Sequence, residues 1–342
     1  MQSIYNMTKK KLEEYFESIN DKKYRATQVY EWLYRSKVKS FDEMTNLKKD
    51  LIEKLKEDYF FDDIKLVIKQ EDELTNKYLF ELNDNHRIEA VLMKHDYGNS
   101  ICISSQIGCN MGCAFCQSGR LKKIRDLAVS EMLLQVIKVE EDLGERISHV
   151  VIMGIGEPFD NYDNVIDFVR IINDPYALAI GVRHITVSTC GIVPKIYALA
   201  DENLDINLAI SLHAPNNELR SKIMRINNAY PLEEVMKAVK DYISKTNRRV
   251  TFEYIMLKGV NDSIKCALEL VSLVKGLNAY VNLIPYNETE NIEFKRSDYS
   301  QISAFYDILK KNNVTSTIRK EFGSNVSAAC GQLRAENIEG EI

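Results

Sequence analysis

Cys109, Cys113 and Cys116 stand four and three residues apart in the run CISSQIGCNMGCAFC. Thiolates are soft ligands. Three in one short loop can take three corners of an iron–sulfur cubane and leave the fourth iron open to a small molecule. The competing metal is zinc, but a structural zinc site closes with four protein ligands, and no nearby Cys or His completes a set. Cys102 lies seven residues upstream of Cys109, inside a predicted strand. Three buried thiols with no ligand are the plain alternative, and their density in one loop speaks against it. The expected group is therefore a [4Fe-4S] cluster on Cys109, Cys113 and Cys116. Phe115, just before the third cysteine, could shield such a cluster from water.

From about residue 100 onward, short β-branched runs alternate with amphipathic stretches, the pattern of βα units around a parallel sheet. The spacing predicts strands near 100–106, 148–154, 184–190, 206–212, 250–257 and 280–285, with helices over 130–143, 162–173, 231–245, 263–277 and 297–312. Pro231 is expected at the first position of its helix. The fold class expected is α/β: a partial (β/α)6 TIM-like barrel over residues 99–342. Residues 1–60 show helical periodicity and no strand signal, so a small helical accessory domain is expected there. Residues 61–98 alternate in period two and read as an antiparallel β linker.

A barrel gathers its active site at the C-terminal ends of its strands. Those ends run into the cysteine loop, into Gly154-Ile155-Gly156-Glu157-Pro158, into Ser188, into Ser211-Leu212-His213 and into Asn287. The glycines could let the backbone approach a ligand amine while Glu157 supplies negative charge. A dinucleotide fingerprint is a poor reading of that loop, because the third glycine is missing and a proline intrudes. Taken singly each polar strand-end residue is as well explained by capping or solvation. Their joint placement favours a binding site.

The chain has 342 residues, 45% hydrophobic and 28% charged, with a net charge of −5. Broad disorder, and a protein that coats nucleic acid non-specifically, are both excluded as expectations. No signal peptide or membrane span is expected. Seven cysteines, four of them between 102 and 116, suit metal or thiol chemistry in a reducing, cytoplasmic setting rather than a disulfide framework.

The motifs CISSQIGCNMGCAFC, GIGEPFDN, VSTCGIVP, LAISLHAPNNELR, IMLKGVND, NLIPYN and AACGQL occur in an order that resembles the RlmN/Cfr family of radical S-adenosylmethionine (SAM) RNA methyltransferases. The resemblance runs from about Tyr24 to Leu333. It implies an enzyme that binds SAM on the cluster through Gly156, Glu157, Ser188, Ser211, Leu212, His213 and Asn287, and that consumes two SAM per turnover. One SAM methylates a C-terminal cysteine, here Cys330. The other yields a 5′-deoxyadenosyl radical that takes hydrogen from that methyl group, and the resulting carbon radical adds to adenine. The resemblance makes Glu89 the base that removes the C2 proton, and Cys102 the thiol that releases product by forming a disulfide with Cys330. Without it, Glu89 reads as an outward-facing strand residue. The route has its own logic: C2 of adenine has no lone pair with which to attack a sulfonium methyl, and radical addition avoids that barrier.

The implied substrates are an adenosine of 23S rRNA in the peptidyl-transferase centre and, second, the anticodon-adjacent adenosine of tRNA. The implied electron donor is a flavodoxin or ferredoxin, and a monomer is expected. The base must be exposed or extruded, since a stacked C2 edge is inaccessible. Pro158, Pro285-Tyr286 and the helix YRATQVYEWLYR favour C2 over the C8 methylation of Cfr-like members. A non-catalytic iron–sulfur RNA-binding factor is the remaining alternative, and joint retention of Glu89, Cys102 and Cys330 argues against it. The chain departs from the family pattern at Arg225 in Met224-Arg225-Ile226-Asn227, at Gln117-Ser118, and at Asn325-Val326-Ser327. Cys190 and Cys266 match no catalytic position, and Cys266 reads as the buried face of a helix. Tyr24, Arg25, Tyr30, Trp32, Tyr34 and Arg35 could contact RNA, but aromatics at that spacing more often form a helical core.

Overall fold

The structure, a computed structural model, describes residues 1–289 and 292–319. At its centre is a ten-stranded sheet whose strands lie side by side in chain order. They are β1 (Lys65–Glu71), β2 (Thr75–Glu81), β3 (Arg87–His95), β4 (Gly98–Ile103), β5 (Ile147–Ile152), β6 (Ile185–Thr189), β7 (Asn207–Ser211), β8 (Val250–Met256), β9 (Ala279–Pro285) and β10 (Ser316–Ile318). The pairings from β1 to β4 are antiparallel, and those from β4 to β10 are parallel. The six predicted strands are β4 to β9, and β10 adds a seventh parallel member.

Helices α1 (Lys9–Ser18), α2 (Tyr24–Tyr30) and α3 (Lys49–Asp58) precede the sheet. Tyr30 and Tyr34 are buried and Tyr24 is exposed, so part of the aromatic run is core. Strand structure is also present in this region: Gln2–Ser3 pairs with Tyr59–Phe60. A strand of two residues is too short to show an alternating pattern. The parallel strands are linked by α4 (Val129–Leu143), α5 (Tyr162–Asn173), α6 (Val193–Asp201), α7 (Asn217–Ile223), α8 (Leu232–Thr246), α9 (Ile264–Val274) and α10 (Tyr299–Lys311). Pro231 is the N-cap of α8 rather than its first helical residue, with an extended ψ of 162°. No helix among the described residues is long and apolar enough to cross a membrane.

The parallel strands are covered on one face by apolar helix stripes. Leu208 and Ile210 of β7 and Val250 and Phe252 of β8 are fully buried, as are Val235 and Val239 of α8. Each such side chain contributes ~1.5–3 kcal/mol by leaving water. The opposite face is polar and carries the site. Because side chains alternate along a strand, register alone assigns residues to it. Val91 pairs with Cys102 and Cys102 with Val151, so Glu89, Val91 and Met93 share a face with Cys102.

Candidate functional site

A cavity of about 330 Å³ opens at the C-terminal ends of the parallel strands. Its wall includes Cys109, Cys113, Cys116, Gly156, Glu157, Ser188, Ser211, His213 and Asn287. Leu212 does not reach the wall. It is fully buried, with its backbone N–H donating to Glu253 O at 3.0 Å, which fixes the turn carrying Ser211 and His213. Glu89 and Cys102 are not on the wall either, but Val91, Met93 and Met153 from the same face are. Cys330 and Asn325-Val326-Ser327 lie outside the described residues.

The cysteine loop is anchored from several sides. Cys109 N donates to Leu121 O at 2.9 Å and Ala114 N to Ile223 O at 2.9 Å, while Tyr286 Oη donates to Phe115 O at 3.3 Å. Gly108 has φ +74°, and an added Cβ would sit 2.2 Å from Lys122 O, so no other residue fits without movement. Phe115 meets His213 edge-on at 4.9 Å. Burial pushes the Cys109 thiol up to about 12 and holds Cys113 higher than its ordinary value, with neighbouring Cys116 adding in both cases. Without a cation these thiols stay neutral, and a bound metal would supply the positive charge that makes them thiolates. The described residues contain no group of three or more His, Cys, Asp or Glu converging on one metal ion. Cys109, Cys113 and Cys116 all line the cavity, and three thiols from one loop suit separate corners of a cluster.

The rest of the wall fits a polar ligand. The hydroxyls of Thr75 and Ser118 are buried there without a hydrogen-bond partner among the described residues, a condition that a bound ligand or water relieves. Ser188 and Ser211 bring their Oγ atoms to 3.4 Å. His213 has φ +58°. Its Nδ1 accepts from Ile255 N at 3.1 Å, so the neutral ring carries its proton on Nε2. Burial, followed by the charge of Arg220, depresses the imidazole to about 3. His213 is thus a fixed neutral donor.

Glu157 is buried and its carboxylate is already engaged: Oε1 accepts from Phe159 N at 3.0 Å and Oε2 from Cys190 N at 2.7 Å. It ties the β5 loop to the end of β6. Cys190 lines the cavity as a small buried residue, and Cys266 is buried on α9. Glu89 is 4% exposed and faces inward, not outward, with its Oε1 3.8 Å from Nζ of the fully buried Lys77. Lys77 gave no sign in the sequence, since a lone lysine in a strand reads as surface. The alternating period of β2, which puts Lys77 in step with Thr75, was the available clue. No disulfide forms among the described residues.

The profile of the Radical SAM superfamily matches residues 103–271, and that of the "Ribosomal RNA large subunit methyltransferase N-terminal domain" matches residues 2–60. The chain is 54% identical to the "Probable dual-specificity RNA methyltransferase RlmN" of Listeria welshimeri, over 98% of this chain and 94% of the relative. It is 53% identical to the protein of the same name in Enterococcus faecalis, covering 99% and 98% of the two chains. The crystal structure of a radical SAM methyltransferase from Sphaerobacter thermophilus superposes with a TM-score of 0.89 at 39% identity, covering 97% of this chain and 99% of that one.

Proposed function

Because the chain belongs to the RlmN family and is a radical SAM RNA methyltransferase, we propose that it methylates C2 of an exposed adenosine in 23S rRNA. The anticodon-adjacent adenosine of tRNA is its second substrate. The observation that carries this reading is one cavity combining the Cys109, Cys113 and Cys116 loop with Gly156, Ser188, Ser211, His213 and Asn287.

In this reading the three cysteines hold the cluster, which with SAM supplies a carbon-centred radical when bound. The protein's own residues do the rest. Ser188, Ser211 and Asn287 offer hydrogen bonds to a ribose or amino-acid moiety, and His213 donates from Nε2. Glu157, whose oxygens are engaged, acts mainly by holding the Gly156 backbone in place. Glu89 takes the C2 proton, for which a carboxylate held inside the sheet is suited. Cys102 lies diagonally across the strand pair from Glu89, about 7 Å away by sheet geometry, on the same face of the sheet. Its thiolate attacks the Cys330 sulfur, forming the S–S bond as the S–CH2 bond to the base breaks, and the carbon keeps that electron pair and takes a proton to become the methyl group. Two SAM per turnover, a flavodoxin or ferredoxin donor and a monomeric enzyme complete the proposal.

Nuclease digestion and mass spectrometry of rRNA and tRNA, with and without the gene, test the reading. Loss of 2-methyladenosine from both RNAs on deletion supports it. Loss of 8-methyladenosine alone replaces C2 with C8. No change in either, together with absence of 5′-deoxyadenosine when the reconstituted protein is given SAM and reductant, leaves a binding protein.

A further inference from the structure

Behind the cysteine loop lies a cation with no anionic partner among the described residues. Arg220, on α7, is fully buried. Its guanidinium donates from Nη2 to Cys190 O at 2.6 Å and to Ser211 O at 3.4 Å, from Nε to Leu212 O at 3.3 Å, and from Nη1 to Asn227 Oδ1 at 3.0 Å. Every one of these acceptors is neutral. Among the described residues no carboxylate pairs with it, and the ionisable groups that act on its charge are the thiols of Cys190 and Cys113. A guanidinium stays protonated at any physiological pH. Burying one with no counter-charge is strongly unfavourable.

The position of Arg220 says where the counter-charge belongs. The last residue of α7, Ile223, accepts a hydrogen bond from Ala114 inside the cysteine loop at 2.9 Å. Cys190, whose carbonyl accepts from Arg220, and Cys113 pack in the same small apolar cluster. Three thiolates around an oxidised cubane core leave a net charge of about −1, which becomes about −2 after one-electron reduction. A buried positive charge therefore favours the loaded site over the empty one, and the reduced cluster over the oxidised one.

We propose that Arg220 is the cluster's built-in counter-charge, a positioning residue whose fixed cation raises the reduction potential of the cluster held by Cys109, Cys113 and Cys116. The proposal rests on the reading of those cysteines as cluster ligands. In the step it governs, one electron passes from a low-potential one-electron donor to the oxidised cluster. No bond breaks, and no proton is taken up at Arg220, which is charged before and after. A purely mechanical role is the alternative, since the same side chain straps the ends of β6 and β7 together through their carbonyls.

Anaerobically reconstituted wild type, Arg220→Lys, Arg220→Gln, Asn227→Asp and Cys113→Ala separate the two. Iron and labile sulfide are measured first, then the midpoint potential by EPR-monitored redox titration without SAM or RNA. Asn227→Asp leaves Arg220 in place and sets a carboxylate of nearly the same shape against Nη1, so it cancels the charge while keeping that bond. Expected are a potential close to wild type in Arg220→Lys, and more negative potentials in Arg220→Gln and Asn227→Asp, with the reduced-to-oxidised ratio at the wild-type midpoint falling several-fold. If Arg220→Gln does not fold, Asn227→Asp decides. Clusters that titrate at the wild-type potential in the charge-cancelled protein overturn the role of Arg220 and leave the ligand assignment standing. A wild type that binds no more iron than Cys113→Ala overturns the ligand assignment, and this inference with it.

Discussion

His213 shows how one side chain can be tested apart from the reaction it serves. Its ring is buried, bonded through Nδ1 and depressed to about 3 by burial and then by Arg220. The folded protein keeps it neutral, whereas the unfolded chain protonates it below its ordinary value near 6.5. The unfolded state therefore binds more protons between those values, and stability falls as pH drops from 6.5 toward 3. Integrated from pH 7 to pH 5, the loss is about 2 kcal/mol. Asn tolerates the positive φ and can accept from Ile255 N, so His213→Asn should fold and lack this loss. Urea unfolding of the two apoproteins at pH 7 and pH 5 measures it, and parallel losses would refute it. The same variant should bind SAM roughly tenfold more weakly, or ~1.4 kcal/mol, by equilibrium dialysis. At this scale the sequence was informative where spacing carries chemistry. The thiols, Ser188, Ser211, His213 and Asn287 all meet at one cavity. It was silent on Lys77 and Arg220, both fully buried, because a charged residue is taken as exposed until packing shows otherwise. The inward face of Glu89 was hidden for the same reason.

The elements matter because the site is made of strand ends, and two glycines show how tightly those ends are packed. Gly156 has φ +110°, and an added Cβ would lie 2.6 Å from Gln106 Cβ. Gly144, the C-cap of α4, has φ +69° with nothing within 4 Å of that position. Gly144→Ala should therefore cost only the left-handed strain, ~1–2 kcal/mol. Gly156→Ala adds a clash of ~1–3 kcal/mol to that strain and moves the loop that faces the ligand. Scanning calorimetry should show the larger fall in Tm for Gly156→Ala, and equilibrium dialysis should show SAM binding abolished in that variant alone. Equal effects would mean the loop is not a close-packed wall. The strands bearing these ends were legible because β4 to β9 are each five to seven residues long, enough for alternation to register. The three-residue β10 and the two-residue pair Gln2–Ser3 with Tyr59–Phe60 leave no periodic trace and arise from tertiary pairing.

At the scale of the whole molecule, a net charge of −5 must be reconciled with an RNA substrate. Several cations of the N-terminal helical region are spent on its docking: Lys37 reaches Glu140 at 3.3 Å, Lys39 reaches Glu141 at 2.6 Å, and Lys11 pairs with Asp167. Beside the cysteine loop the balance differs. Arg120 and Lys122 follow the cysteine loop and are exposed, and Arg225 is exposed with its side chain across Gly112, where an added Cβ would be 3.2 Å from Cδ. Arg225 is one of the positions at which the motifs depart from the family pattern, and it places a further cation beside the cysteine loop. If these three meet phosphates, neutralising them as Arg120→Gln, Lys122→Gln and Arg225→Gln weakens RNA binding. It also lowers the slope of log affinity against log salt by about 0.7–0.9 for each phosphate no longer neutralised. Lys39→Gln removes a single charge, and one held by Glu141, an exposed pair worth at most ~1 kcal/mol to stability. It should leave the slope unchanged. Fluorescence anisotropy with a labelled RNA hairpin over a salt series distinguishes the two. If the triple variant keeps the wild-type slope while Lys39→Gln lowers it, the RNA-facing charge lies on the helical region and not beside the cysteine loop.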